Sequence, residues 1–286
     1  MARKNKHVHQ MKRILVVAFL MLQVFFLKAQ DSLSIIKSGP FILGKIITIS
    51  SKILNEKRIL NIYLPAGYKE TETLHYPVIY LLDGSADEDF IHIAGLIQFL
   101  NFPWVNILPK SILVGIANVD RKRDFTFPTT IEADKKESPT AGGSSRFISF
   151  IQNELQPFIE KNYKTNPTKT LIGESLGGLV ATEILFKNPG LFTRYIIVSP
   201  SLWWNNESLF QRKPLMDNHP AIIDISVGNE GKVMENDARQ LEKILIETRK
   251  NSKVHFEYFP HENHATILHR AVYKAFEYFN NEEKSK

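Results

Sequence analysis

The sequence contains no cysteine, and its first 30 positions contain no acidic residue. The first absence excludes disulfide bonds, a thiol nucleophile and any metal site with cysteine ligands. The second concentrates positive charge, because six of the 36 lysine and arginine residues lie in those 30 positions and leave 30 basic and 30 acidic residues elsewhere. A formally neutral remainder gives no support for binding to nucleic acid or to an anionic membrane.

The basic N-terminus is followed by an apolar run that is short for a membrane span. Basic residues in Met11–Arg13 precede Ile14–Leu27, and Lys-Ala-Gln-Asp follows. This order is typical of a secretory signal peptide, which we expect over residues 1–30 with cleavage after Ala29 or Gln30. The alternative is an uncleaved anchor. Export without disulfides suits a bacterial periplasm, so we expect a periplasmic or secreted protein that has no membrane contact after cleavage.

Beyond the leader, short apolar runs alternate with longer segments of helical periodicity. Two β-rich runs, Lys45–Ser50 and Arg58–Leu64, predict an antiparallel hairpin. The later apolar runs are continuous, which is typical of a mostly parallel sheet buried on both faces by helices. We therefore predict a single α/β domain over residues 31–286. The further predicted strands are 77–82, 111–117, 170–173, 195–199, 221–228 and 254–259, and the predicted helices are 145–163, 176–187, 235–250 and 265–279.

A serine lies between two glycines in Leu171–Gly178, which reads LIGESLGG. An apolar run precedes this G-x-S-x-G match and a helical pattern follows it, which is the strand–turn–helix context of a nucleophile elbow. Gly173 and Gly177 would relieve crowding around a strained serine. The first N–H groups of the helix would point toward a developing oxyanion. Ser175 is therefore the candidate nucleophile, and a glycine-rich corner without chemistry is the alternative.

A serine hydroxyl needs a base, which in this arrangement follows the last strand. Of nine histidines, three come after the final predicted strand: His261, His264 and His269. His269 falls inside the predicted terminal helix, whereas His264 ends the loop before it. We predict His264 as the general base and keep His261 as the alternative.

The acid that orients the base should lie in the loop after the preceding strand, because the chain order is serine, acid, histidine. Glu230 follows the end of that predicted strand by two residues. It is therefore best placed to hold the imidazole tautomer. Glu235 and Asp237 lie further on, where carboxylates favour the dipole at the start of a helix. We predict Glu230 as the acid.

Six segments resemble a known family, in order and with compatible spacing between residues 63 and 279. They are YLLDG (80–84), VGIANVDRKRDFTFP (114–128), GGSSRFISFIQNELQPFIEKNY (142–163), LIGESLGGL (171–179), SPSLWWN (199–205) and HENHAT (261–266). Together they are similar to the putative-esterase family of α/β hydrolases, which includes bacterial siderophore trilactone esterases and is related to S-formylglutathione hydrolases. The resemblance implies an α/β-hydrolase fold, ester hydrolysis without a metal or cofactor, Ser175 as nucleophile and His264 as base.

The resemblance also implies that the loop after Tyr80–Gly84 helps to form an oxyanion hole. We expect one donor to be the backbone N–H of Leu176, the residue after the nucleophile, and the second to be that of Gly84 or Ser85. The chain departs from the family at Glu174, where many members have histidine. This departure places a carboxylate near the site and can alter substrate preference.

Candidate substrate contacts follow the ends of two other predicted strands. Arg121 and Arg123 belong to Asp120–Gly143, a polar stretch with two prolines and no sustained period, which is either disordered or part of a site. Ligands bind at the carboxyl edge of open α/β sheets, where a guanidinium can hold a carboxylate or catecholate oxygen; a solvated basic turn is the alternative. Trp203 and Trp204 are candidates for an aromatic pocket wall or for core packing.

These residues predict acyl transfer through a serine-bound intermediate. Ser175 attacks an ester carbonyl, His264 takes and returns the proton, and water hydrolyses the acyl-enzyme. The expected substrate is a small-molecule or oligosaccharide ester, either a siderophore lactone or an acylated saccharide. The alternatives are an acyltransferase of the same fold, a thioesterase, and a non-enzymatic binding protein that retains the hydrolase fold.

Overall fold

The computed structural model describes residues 2–27, 33–212, 214–215 and 219–284. The chain divides into two compact units, Met1–Ile42 and Leu43–Lys286, and the first contains helix α1 (Ala2–Leu27). Within these described ranges, no helix is both long enough and apolar enough to cross a membrane. Ala29 and Gln30, the expected cleavage positions, lie outside the described residues. The signal peptide over 1–30 and the domain over 31–286 stay predictions.

The second unit is built on a mixed sheet of eight strands. They are β1 (Lys45–Ser51), β2 (Glu56–Tyr63), β3 (Tyr76–Leu81), β4 (Ile112–Ile116), β5 (Thr165–Glu174), β6 (Arg194–Val198), β7 (Ile222–Gly228) and β8 (Lys253–Phe259). Their order in the sheet is β1-β2-β4-β3-β5-β6-β7-β8. β2 is antiparallel to β1 and β4, while all other neighbours are parallel. The predicted hairpin and the mostly parallel sheet are confirmed.

Helices cover both faces of the sheet. They are α2 (Phe90–Leu100), α3 (Arg121–Phe125), α4 (Glu132–Glu137), α5 (Ser144–Phe150), α6 (Gln156–Asn162), α7 (Leu176–Lys187), the single turn α8 (Trp204–Glu207), α9 (Lys232–Thr248) and α10 (Leu268–Lys284). A π-helical turn over Ile151–Leu155 joins α5 to α6. Alternation along β5 divides the core, because Leu171 packs in the layer that includes α5, α7 and α9, whereas Ile172 packs in the layer of α2 and α10. The α/β class predicted from continuous apolar runs is confirmed.

The polar stretch after β4 is ordered and contains two short helices, α3 and α4. Phe125 and Phe127 in this stretch are fully buried. Asp120 caps α3 by accepting a hydrogen bond from the backbone N–H of Arg123 at 3.0 Å. Helices of five and six residues are too short to produce a recognisable period. The disordered alternative for this stretch is therefore wrong.

The segment between β8 and α10 forms a turn before the helix begins. The backbone N–H groups of Thr266 and Ile267 both donate to the carbonyl oxygen of Asn263, and its side-chain oxygen accepts from the N–H of Ala265. This local pairing delays the start of α10 to Leu268, three residues after the predicted start. His264 thus lies in the turn, as its predicted role requires.

Candidate active site

Ser175 lies at the sharp turn between β5 and α7 with a strained backbone. Its φ is 60° and its ψ is −120°, a conformation that residues with a side chain rarely adopt. Its N–H donates to the carbonyl of Val198 at 3.0 Å, and its carbonyl accepts from the N–H groups of Leu179 and Ser201 at 2.9 and 3.0 Å. The Ser175 hydroxyl oxygen is 3.3 Å from that of Ser201. The turn is therefore held to β6 and α7 by its own backbone, which fixes the hydroxyl at the carboxyl edge of the sheet.

The glycines around Ser175 allow the strand and the helix to approach each other. A Cβ atom at Gly173 would lie 2.4 Å from the carbonyl oxygen of Gly177, and one at Gly178 would lie 2.9 Å from Cα of Pro200. Both distances are shorter than any real Cβ contact, so side chains at these positions would force the elbow apart. The crowding predicted at Gly173 is therefore confirmed. At Gly177 a Cβ would meet only ordinary contacts of 3.4 Å or more, with Asp83 and Leu82, so the second crowded position is Gly178 and the prediction for Gly177 is wrong.

His264 and Glu230 form a hydrogen-bonded pair at the same edge. His264 Nδ1 is 2.5 Å from Glu230 Oε2. The other carboxylate oxygen accepts from the Ser199 hydroxyl at 2.5 Å and from the N–H of Gly228 at 3.0 Å. Nδ1 then carries the proton that it shares with the carboxylate, and Nε2 of the neutral ring keeps its lone pair. The pair thus presents a ring nitrogen that can accept a proton.

The electrostatics of this pair favour the charged form of both groups. Burial alone would raise the pKa of Glu230, but hydrogen bonds from His264, Ser199 and Gly228 bring its pKa below the ordinary value. The hydrogen bond to Glu230 raises the pKa of His264 against the opposing effect of partial burial. A base of raised pKa beside a fixed carboxylate can stabilise the imidazolium that forms as a serine loses its proton.

The three candidate catalytic residues come from neighbouring parts of the sheet edge. Ser175 follows β5, Glu230 follows β7 and His264 follows β8, while Ser199 and Ser201 follow the intervening β6. The β6 serines connect the two sides of the site, because Ser201 contacts Ser175 and Ser199 contacts Glu230. Sequence reasoning overlooked both, although polar residues directly after a buried strand are a signal for this edge.

The other histidines near the last strand occupy different places. His261 is exposed in the turn after β8. His269 is in the first turn of α10, where its ring centroid lies 6.1 Å from that of His92 on α2. The carboxylate of Glu230 therefore orients the ring of His264, the predicted base, and not the ring of the alternative base His261.

The expected oxyanion donors differ in their availability. Leu176 is the first residue of α7, so its N–H has no acceptor within the helix. Gly84 is a correction, because its N–H donates to the carbonyl of Ile116 at 3.1 Å and a Cβ there would lie 2.4 Å from Cα of Gly115. Gly84 thus continues the pairing of β3 with β4 and cannot serve as the second donor. The N–H of Ser85 points toward Glu88 Oε2 at 3.3 Å, a long contact, and it stays the candidate.

Arg121 clasps the loop that follows β3. Its Nε and Nη2 donate to the two carboxylate oxygens of Asp83 at 2.6 and 2.8 Å, and Nη2 also reaches the carbonyl of Glu174 at 3.4 Å. Asn118 donates to the same carboxylate at 2.6 Å. Arg121 lies at the site, as expected, but its guanidinium fork is already occupied by Asp83. We therefore interpret Arg121 as a link between the β3 loop and the nucleophile turn.

Arg123 and Trp204 are structural residues. Arg123 donates to both Asp124 and Glu56, and these carboxylates also hold the fully buried Arg58. Trp204 is buried and its indole N–H donates to the carbonyl of Phe127 at 2.8 Å. Neither placement supports the predicted contact of these residues with substrate. Trp204 packs in the core, which was the alternative considered for it. Trp203 is 39% exposed and stays a candidate for the pocket wall.

The fold and this edge define a class: an α/β hydrolase with a serine elbow and a histidine–carboxylate pair. A family model described as "Putative esterase" matches residues 51–279, so the chain belongs to this family. The chain is 29% identical to the ferri-bacillibactin esterase BesA of Bacillus subtilis over 248 residues, 78% of this chain and 86% of BesA. The protein is therefore an esterase, a hydrolase of carboxylic esters that acts on a small-molecule substrate.

Two solved structures share this fold at similar identity. An IroE-like serine hydrolase from Shewanella oneidensis has a TM-score of 0.74 and 29% identity, covering 83% of this chain and 80% of its own. The BES protein from Bacillus cereus has a TM-score of 0.73 and 27% identity, covering 86% of this chain and 98% of its own. The resemblance identified from the sequence motifs is confirmed.

Proposed function

We propose that this esterase works through an acyl-enzyme on Ser175. The observation that carries the proposal is the 2.5 Å contact between His264 and the buried carboxylate of Glu230, at the sheet edge where Ser175 is held in a strained turn. His264 Nε2 takes the serine proton as the hydroxyl attacks the ester carbonyl, and it returns the proton to the leaving alcohol. A water molecule, activated by the same base, then hydrolyses the acyl-enzyme.

The tetrahedral intermediates need donors for their oxyanion. In our proposal these are the N–H of Leu176 at the start of α7 and the N–H of Ser85 in the β3 loop. The clasp between Arg121 and Asp83 holds that loop against the nucleophile turn. Fixed donors of this kind contribute roughly 10²–10³-fold each to the rate of acyl transfer.

For the substrate, we propose an ester or lactone of a siderophore. The support is the relationship to BesA, whose name is ferri-bacillibactin esterase and which is covered over 86% of its length. An acylated saccharide is a second candidate from the sequence, and no contact in the described structure favours it. We further propose that the protein is exported to a bacterial periplasm or beyond, on the basis of its leader sequence alone.

Hydrolysis of p-nitrophenyl acetate, butyrate and octanoate tests the mechanism. We expect Ser175→Ala and His264→Ala to lower kcat/KM by roughly 10³-fold or more, since each removes a group that acts with the other as a unit. His261→Ala is the matched control and should retain wild-type activity. Activity that survives in Ser175→Ala would refute the acyl-enzyme, and mass spectrometry of the quenched wild-type reaction would detect the acyl adduct directly.

A further inference from the structure

The side chain of Glu174 is the feature of the site that the mechanism does not use. Glu174 is the last residue of β5 and directly precedes Ser175. Strand alternation places its side chain on the same face as Ile172, toward the layer of α2 and α10. The residue is partly buried, and its Oε1 atom is fully buried without a hydrogen-bond partner among the described residues. A buried carboxylate oxygen normally has a partner, so this one calls for an explanation.

No cation among the described residues forms a direct ion pair with this carboxylate, although Arg121 and His264 attract it from a distance. Arg121 is nearby, but its fork binds Asp83 and its contact with Glu174 is to the backbone carbonyl. The other charged groups that face Glu174 come from four elements. They are Asp83 after β3, Asp89 at the start of α2, Glu230 after β7 and His264 after β8. Carboxylates outnumber cations around Glu174, so the field at this side of Ser175 is negative whenever Glu174 is ionised.

The proton affinity of Glu174 makes this field depend on pH. Burial raises the pKa of Glu174 to about 7, with Asp89, Glu230 and Asp83 adding to the rise and His264 opposing it. Below neutral pH the side chain is therefore a neutral carboxylic acid that can donate or accept a hydrogen bond. Above neutral pH it is a carboxylate that can only accept one.

We propose that Glu174 is a specificity-determining residue that favours esters with a positive charge or an N–H or O–H donor near the scissile carbonyl and disfavours esters with a negative charge there. The inference rests on the proposed function, because it assumes that the acyl group is carried on the neighbouring Ser175. A cation or a hydrogen-bond donor on the substrate would be attracted by this carboxylate, and an anion would be repelled by a carboxylate that has no ion-pair partner in a site of low dielectric.

The test measures the ratio of kcat/KM for a cationic ester to kcat/KM for an anionic ester, so that effects on the chemical step that both esters share cancel. The full chain is assayed between pH 6 and 9 with p-nitrophenyl esters of 4-(trimethylammonio)butyrate and of glutarate, whose charges are opposite and fixed over this range. A second pair carries the same charges on the alcohol side: the acetate esters of choline and of glycolate. Ionisation of His264 affects both members of a pair alike. We expect the ratio of kcat/KM, cation over anion, to rise about tenfold or more through pH 7 for at least one pair.

Substitutions at Glu174 test whether this residue causes the rise in the ratio with pH. In Glu174→Gln, which keeps the shape and loses the charge, the ratio should be low and independent of pH, whereas Glu174→Asp should keep the rise. Glu132→Gln, on the exposed helix α4, is the control and should match the wild type. Thermal unfolding of each variant identifies any that fails to fold, and Glu174→Asp then provides the comparison.

Two results separate this inference from the proposed function. A flat ratio for both pairs in the wild type, or the same rise in Glu174→Gln, would overturn the role of Glu174 even if Ser175→Ala were inactive. Survival of activity in Ser175→Ala would instead overturn the acyl-enzyme and the inference with it.

Discussion

The charge of one carboxylate decides how His264 behaves as a base. Glu230 has both oxygens occupied, one by the ring Nδ1 and the other by Ser199 and Gly228, so its position is fixed before the reaction begins. A neutral ring is needed to accept the serine proton, and the pKa of His264 is raised above its ordinary value by this contact. Activity should therefore increase with pH as the ring loses its proton, with a midpoint above the usual value for histidine.

Glu230→Gln is expected to lower kcat by roughly 10²–10⁴-fold, because an amide can hold the wrong tautomer and cannot stabilise the imidazolium. Since the same change removes the negative charge that raises the pKa of His264, the acid limb of the kcat/KM profile should move to lower pH. Steady-state kinetics over pH 5–9 measure both effects. Glu235→Gln, in the first turn of α9, is the matched control; an unchanged kcat in Glu230→Gln would show that the serine and histidine work without the acid.

A methyl group at the elbow should destabilise the protein. In Gly173→Ala, the added Cβ would lie 2.4 Å from a backbone oxygen that cannot move without shifting α7. We expect a loss of about 1–3 kcal/mol in the free energy of unfolding, together with lower activity. Gly95→Ala is the control, since nothing lies within 4 Å of that Cβ and alanine is the better helix former in α2 by up to about 1 kcal/mol. Denaturant unfolding of both variants measures the difference; equal stabilities would contradict the crowding argument.

At the residue scale, the sequence predicted the groups whose order along the chain is fixed by the fold. The order of strands, loops and helices was sufficient to place Ser175, Glu230 and His264 at one edge. Prediction from the sequence failed where tertiary contacts determine the hydrogen-bond partner of a group. The N–H of Gly84 is taken by Ile116 on β4, and the fork of Arg121 is taken by Asp83 on the β3 loop, and neither pairing leaves a local signal.

At the scale of elements, helix α3 connects the core to the site. It is only five residues long. A buried ion pair attaches it to the sheet, because Arg58 on β2 donates to Asp124 on α3 at 2.6 Å. From the same helix Arg121 reaches the β3 loop. Because α3 is fixed to β2 by this ion pair, Arg121 on α3 can determine where the β3 loop lies relative to Ser175. This segment shows no helical period in the sequence, because α3 is stabilised by its cap and by these tertiary contacts.

Arg121→Lys tests whether this link positions the β3 loop. A lysine keeps the charge but cannot make the two parallel hydrogen bonds to Asp83. We expect kcat to fall by roughly 10–10²-fold, because small displacements of an oxyanion donor are costly, while KM for a neutral ester changes little. Steady-state kinetics with p-nitrophenyl butyrate make the measurement.

The same substitution in the same helix provides the control. Arg123→Lys should lower the Tm through its contacts with Glu56 and Asp124 but leave kcat near that of the wild type. A large rise in KM with unchanged kcat in Arg121→Lys would instead show that Arg121 binds substrate, as the sequence first indicated.

At the scale of the whole molecule, the sequence anticipated the layered architecture and misjudged several boundaries. β5 begins at Thr165, five residues before the predicted start, because its polar first half pairs with β3 beside Tyr76. Hydrophobicity alone does not reveal a strand segment that is stabilised by backbone pairing at the edge of the core. The sheet order, with β4 between β2 and β3, also depends on contacts between distant segments.

Every candidate catalytic residue lies in the second compact unit, Leu43–Lys286, and the family match begins at residue 51. We therefore expect a chain that starts at Asp31 to have the same kcat/KM as the full chain on p-nitrophenyl butyrate. After expression of the full chain in a bacterium, we expect the product in the periplasmic fraction of the cells. Mass spectrometry of its N-terminus should show cleavage after Ala29 or Gln30. A markedly slower truncated chain would show that the leader region contributes to the site.

The position of His264 after the final strand has a consequence for how the molecule assembles. Among the described residues β8 pairs with β7 alone, at the end of the sheet, so its docking depends on strands that are formed by earlier parts of the chain. Hydrolysis of an ester requires β8 and the segment that follows it to be docked, whereas fluorescence and secondary structure report on the chain as a whole. Refolding followed by activity and by optical signals can therefore distinguish two orders of assembly. Activity that lags would show that the C-terminal segment docks last, and simultaneous recovery would show that it docks together with the rest of the sheet.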